Sequence, residues 1–122
     1  MKLYPLVTEI DDPKALETEY KAAREIGKVR IGETALFFRV RLKTFYVPYS
    51  DVKRFFRRVH EIPLRTESFG GDLMIENLVV CGEGDKELIQ VQLPGAKAAK
   101  ILFEELRERM PDTPFGKPVD PQ

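Results

Sequence analysis

The stretch Leu88-Ile89-Gln90-Val91-Gln92-Leu93-Pro94-Gly95, running on into Ala96 to Arg109, decides the fold. Leu88 to Leu93 alternates apolar and polar side chains, the period of a strand with one face buried. Pro94-Gly95 stops it. Ala99, Leu102, Phe103, Leu106 and Met110 then recur at helical spacing, with Lys97, Lys100, Glu104, Glu105 and Glu108 on the remaining positions. That is an amphipathic helix with one apolar stripe, ended by Pro111. A strand running directly into such a helix predicts a sheet that the helix closes at one end.

Upstream, the glycines of Gly82-Glu83-Gly84-Asp85-Lys86 mark a hairpin turn. Leu73 to Val80 therefore reads as a buried partner strand. Pro63 and the Gly70-Gly71 pair predict a loop before it. Residues 49–62 have two readings. Ser50 can cap a helix that puts Val52, Phe55, Phe56 and Val59 on one face. Alternatively, a turn over Tyr49 to Val52 precedes a strand from about Arg54 to Ile62, which the β-branched and aromatic residues favour. Farther back, Lys28 to Ile31, Ala35 to Val40 and Phe45 to Val47 predict a three-strand meander, with turns at Gly32-Glu33-Thr34 and Leu42-Lys43-Thr44. At the N-terminal end, Asp12 and Pro13 open a helix carrying Leu16, Tyr20, Ala23 and Ile26, with Gly27 as its C-cap.

The predicted class is α+β. An antiparallel curled sheet or partly open barrel is capped by the C-terminal amphipathic helix, and an extra helix stands at the N-terminus. At 122 residues the chain fits one domain, 1–122. It divides into an N-terminal helical extension (1–27), a core (28–110) and an extended, partly mobile tail (111–122). A chain this long buries roughly two thirds of its unfolded surface, so one core suffices without disulfide or metal.

Several function classes lose support. Lys+Arg and Asp+Glu balance at 20 each, so net charge predicts no polyanion partner. Cys81 is the one cysteine and cannot form an internal disulfide, which predicts a reducing, cytoplasmic setting. No apolar leader and no stretch near the ~20 residues of a membrane span is evident. His60 and Cys81 read as structural, because no catalytic partner accompanies either, and Glu83 and Asp85 oppose thiolate formation at Cys81. Glu83, Asp85 and Glu87 lack a calcium-loop pattern, and one His with one Cys cannot form a usual zinc set. Gly70-Gly71 lacks the companions of a phosphate loop. The sequence thus predicts no catalytic residue, no metal, no cofactor and no enzymatic activity.

Charge layout points elsewhere. Between Arg39 and Arg65 eight bases face only Asp51 and Glu61, an excess of six positive charges in a neutral chain. Phe38, Phe45, Tyr46, Tyr49, Phe55 and Phe56 interleave with them. Such a surface can hold an anionic lipid or nucleic acid, with Lys53, Arg54, Arg57 and Arg58 as the candidate ligand-binding residues. Strand alternation would split Arg57 from Arg58, however, and carboxylates elsewhere in the chain can neutralise the bases.

The run Tyr46-Val47-Pro48-Tyr49-Ser50-Asp51-Val52 resembles the "I-P-Y-x-D-I" stretch of bacterial pleckstrin-homology-like and GRAM-like domains. The strand, turn and helix from Leu88 to Arg109 resemble the end of that fold, and Pro111 to Gly116-Lys117 is similar to the close of small bacterial proteins of this type. Lys28, Arg39 and Arg41 are similar to the lysine-then-Arg-x-Arg pattern of lipid-binding members. The likeness spans residues 28–110; the helix at 13–26 lies outside it. The resemblance implies a binding scaffold rather than a reaction. It makes a protein–protein contact module, acting on an unknown partner or by self-association, the leading expectation, with anionic-ligand binding through residues 39–65 as the alternative.

Overall fold

The computed structural model describes residues 1–66 and 69–117, with side chains left aside over 64–72. The architecture is α+β, with two helices, a five-stranded and a three-stranded sheet that do not close into a barrel, and a C-terminal helix.

The first sheet has the order β1-β5-β4-β3-β2. β2 (Arg24–Ile26), β3 (Val29–Ile31), β4 (Ala35–Val40) and β5 (Lys43–Pro48) form an antiparallel meander, and β1 (Leu3–Pro5) adds to it parallel to β5. The second sheet has the order β6-β7-β8, built from Arg54–Thr66, Phe69–Cys81 and Glu87–Gln92. The strand reading of 54–62 is therefore the observed one, with a short 3-10 turn over Tyr49–Asp51 ahead of it. α2 (Ala96–Arg109) follows β8 directly, as the apolar stripe requires.

One core joins these layers. Val29, Ile31, Leu36, Phe38 and Val47 from the first sheet meet Phe55, Leu78, Val80 and Val91 from the second, and Ala99, Leu102, Phe103 and Leu106 of α2 close it. α1 (Pro13–Ala22) covers the opposite face of the first sheet, where Leu16 and Tyr20 pack on Ala35, Phe37 and Tyr46. This explains why Ala35-Leu36-Phe37-Phe38 is apolar without alternation: every one of these residues is buried, odd positions under α1 and even positions in the main core. The Tyr46 phenol is also the acceptor for the Ile10 backbone N–H at 2.8 Å, which holds the segment leading into α1.

Five expectations need correction. The N-terminal helix stops at Ala22, and Arg24–Ile26 pairs as a strand instead of completing the helix. Gly27, at φ +59°, serves the β2–β3 turn rather than a helix cap. The β4–β5 turn is Arg41-Leu42, with Arg41 at φ +59°, and Lys43 and Thr44 already lie in β5. The loop expected between Pro63 and Gly71 is a continuation of the β6–β7 hairpin, with Pro63↔Asp72, Leu64↔Gly71 and Arg65↔Gly70 in register. Pro63 is tolerated because odd residues of β6, like Phe55, turn their N–H toward the outer edge of the sheet, so no bond to β7 is lost. Finally, the tail is anchored at its start: Phe55 donates its N–H to the Pro114 carbonyl at 3.1 Å, and the Gly116 N–H donates to the Phe55 carbonyl at 2.8 Å. The Phe115 ring stacks on Phe55, centroids 5.3 Å apart. The remainder of the expected tail, 118–122, lies outside the described residues.

Candidate functional site

Of the four candidate ligand-binding residues, Lys53 immediately precedes β6 and Arg54, Arg57 and Arg58 lie on it, where the strand pleat divides them. Arg54, Phe56 and Arg58 project from the outer face of the second sheet, while Phe55 projects into the core with Arg57 on its side. Each guanidinium finds a carboxylate. Arg54 Nε lies 2.9 Å from Asp85 Oδ1, and its Nη1 donates to the Gly116 carbonyl. Arg57 makes a two-pronged contact with Glu76, whose side chain is only 4% exposed. Arg58 grips Glu87 at 2.5 Å and Gln90 at 2.6 Å while lying over the Phe56 ring. Lys53 Nζ donates to the Ser50 carbonyl at 3.2 Å. The pairing lowers Glu87 below the ordinary carboxylate range, through its hydrogen bonds from Arg58. It also raises Arg57 and Arg58, each through the hydrogen bond to its acid. The positive excess along residues 54–58 is thus largely neutralised by β7, β8 and the turn between them.

His60 and Cys81 do not meet. His60 is exposed on the arm opposite Ile75, whereas Cys81 pairs with Arg54 six positions back, about 20 Å away at strand rise. Cys81 is fully buried against Phe56 and Val79, and burial, reinforced by Glu87 and Asp85, pushes its thiol upward. Among the described residues no three His, Cys, Asp or Glu side chains gather as a metal site.

A cavity of about 700 Å³ lies beside α1 and is lined by Thr18, Glu19, Arg24, Glu33 and Arg109 among others. Thr18, Glu19, Arg24 and Arg109 are already engaged by neighbours within the chain. Glu19 accepts from the Thr34 N–H, the Thr34 hydroxyl and the Ala35 N–H at 3.2, 2.6 and 3.0 Å. The Gly32 carbonyl accepts from the Tyr49 hydroxyl at 2.7 Å and from Arg109 at 3.0 Å. Burial pushes the Tyr49 phenol up to about 12, so it acts as a neutral donor. On the same side, Glu105 Oε2 sits 3.1 Å from Arg24 Nη1, a charge–charge contact not aligned as a hydrogen bond. These contacts tie α1, the β3–β4 turn and α2 together. No nucleophile–base pair arises from them.

The feature that stands apart is the distal half of the β6–β7 hairpin. β8 pairs with β7 as far as Asn77↔Gln92, and the Leu93 N–H next to it still donates to the Glu76 carbonyl at 2.8 Å. From the Val59↔Glu76 pair outward, eight residues of each strand, Val59–Thr66 and Phe69–Glu76, continue as a two-stranded arm about 26 Å long. Val59, Ile62, Leu73 and Met74 on it are 40%, 42%, 46% and 53% exposed. Ile62 and Leu73 lie directly opposite on one face; Val59 and Met74 are diagonal neighbours on the other. A two-stranded ribbon in water is marginal by itself, and apolar residues on both faces gain nothing from solvent. The arm is hidden in the sequence because Pro63 and Gly70-Gly71 read as loop punctuation. The available signal is that strand-like apolar residues, Val59 and Ile62 on one side and Leu73, Met74 and Ile75 on the other, continue up to these punctuating residues.

No family model, no curated protein and no solved structure matches the chain.

Proposed function

We propose that the protein is a non-catalytic, cytoplasmic binding module of pleckstrin-homology-like form that engages another protein chain through its β6–β7 arm. The single observation carrying this reading is the arm itself: paired strands beyond the reach of β8, with Val59, Ile62, Leu73 and Met74 open to solvent. An added protein surface would bury those side chains and complete a ribbon that the rest of the molecule leaves two strands wide. The order of a meander, a second three-stranded sheet and a closing helix supports the pleckstrin-homology-like part of the reading. The lone, buried Cys81 supports a reducing compartment, and among the described residues no helix is long and apolar enough to cross a membrane. The alternative, an anionic lipid or nucleic acid on Lys53, Arg54, Arg57 and Arg58, draws less support because three of the four hold carboxylates of the same chain.

The test is an arm variant, Ile62→Lys with Leu73→Glu. It removes the apolar pair on one face and leaves an attractive cross-strand pair in its place. Wild type should capture a partner chain from a lysate or self-associate in sedimentation equilibrium, and the folded variant should do neither. Equal capture and equal mass for both proteins would refute the arm as the contact surface.

A further inference from the structure

A groove of about 580 Å³ runs between α2, the start of β6 and the segment 115–117. Its floor is apolar, made by Phe56, Ala99, Phe103 and the Phe115 ring, which meets Phe103 edge-on at 6.2 Å. Its rim is basic: Lys100, Arg107 and Lys117 stand against Glu104, with Arg57, itself paired with Glu76, beside them. The imbalance is local, since the whole chain is neutral. Helical spacing creates it, placing Lys100, Glu104 and Arg107 along one flank of α2 beside the buried Ala99 and Phe103.

Lys100, Arg107 and Lys117 are available, unlike the bases of β6. Among the described residues Lys100 and Lys117 have no carboxylate within ion-pair distance, although Glu104 lies one helical turn from Lys100. Arg107 lies over the Phe115 ring at 5.3 Å, an arrangement that positions its charge without neutralising it. Arg57, though bound to Glu76, keeps 46% of its side chain exposed.

We propose that this groove binds an acidic segment of another protein, with carboxylates on the lysine–arginine rim and an apolar side chain seated on Phe103 and Phe115. The site is separate from the arm and shares no residue with it. A headgroup or a nucleotide chain would set phosphate over the apolar floor, whereas an acidic peptide alternates carboxylates with apolar side chains and matches both surfaces.

The experiment pans a displayed library of random peptides of about 12 residues against the full chain, then measures a selected peptide by fluorescence polarisation at about 50 and 200 mM NaCl. Phosphatidylserine vesicles and a single-stranded oligonucleotide are run beside it. Selected peptides should share Asp and Glu around one Phe, Leu or Tyr, and binding should weaken several-fold at the higher salt. Lys100→Glu with Lys117→Glu, both exposed and therefore compatible with folding, should weaken it at least about 10-fold. Glu104→Lys should tighten it, and the arm variant Ile62→Lys with Leu73→Glu should leave it unchanged. Selection of neutral or basic peptides, indifference to the rim variants, or binding confined to vesicles or oligonucleotide would overturn the proposal. Loss of binding in the arm variant alone would also overturn it, while leaving the arm reading intact.

Discussion

Replacing Arg57 by Met separates its structural part from any binding part. Glu76 is a buried carboxylate whose partner is the Arg57 guanidinium, held by two hydrogen bonds. Removing the guanidinium leaves that carboxylate in a pocket 4% exposed. Breaking a fully buried pair costs about 3–5 kcal/mol, and breaking an exposed one about 0–1 kcal/mol. Arg57 is half in water, so the expected loss is about 2 kcal/mol, equivalent to about 6–10 °C in the thermal midpoint for a chain of this size. Adding Glu76→Leu to Arg57→Met should recover more than half of it, because the stranded charge is then gone. Urea unfolding of wild type, both single variants and the double variant gives the coupling directly, expected at about 1.5 kcal/mol. A change below about 0.5 kcal/mol for Arg57→Met, or additive single effects, would refute the view that β7 neutralises this base.

Gly32→Ala should lose about 1–3 kcal/mol in urea unfolding, since its Cβ would stand 2.5 Å from Glu19 Oε2 and 2.7 Å from the Ala35 carbonyl. Tyr49 titrates in the folded state near about 12, above its unfolded value of ~10. Its contribution is therefore intact below pH ~10 and fades as pH rises through the folded value, so wild type should lose stability more steeply than Tyr49→Phe over that window in pH-dependent unfolding. Cys81, with no exposed surface and a raised thiol, should react with a thiol reagent at the rate of structural opening, and a fast, full reaction in native buffer would contradict its burial.

Local chemistry determined much of this protein. The stripe of Ala99, Leu102, Phe103 and Leu106 specified α2 to its observed limits, because a helix needs only its own spacing and a stop at Pro111. The glycine-rich turn before Glu87 and the alternation after it specified β8 in the same way. Tertiary context decided the rest. Arg24–Ile26 is a strand because β3 offers it an edge, which overrides its continuation of the helical pattern. Leu3–Pro5 is a strand only through β5, forty residues on. Pro63 and Gly70-Gly71 remain in a ladder because Pro63 faces an open edge and β7 supplies the other, a fact of pairing that no local rule contains. The site followed the same division. The sequence named the bases of β6, but whether a charge is free depends on which carboxylate the fold brings beside it. That depends on register between distant strands, so Arg54, Arg57 and Arg58 are paired while Lys100 and Lys117 stand open.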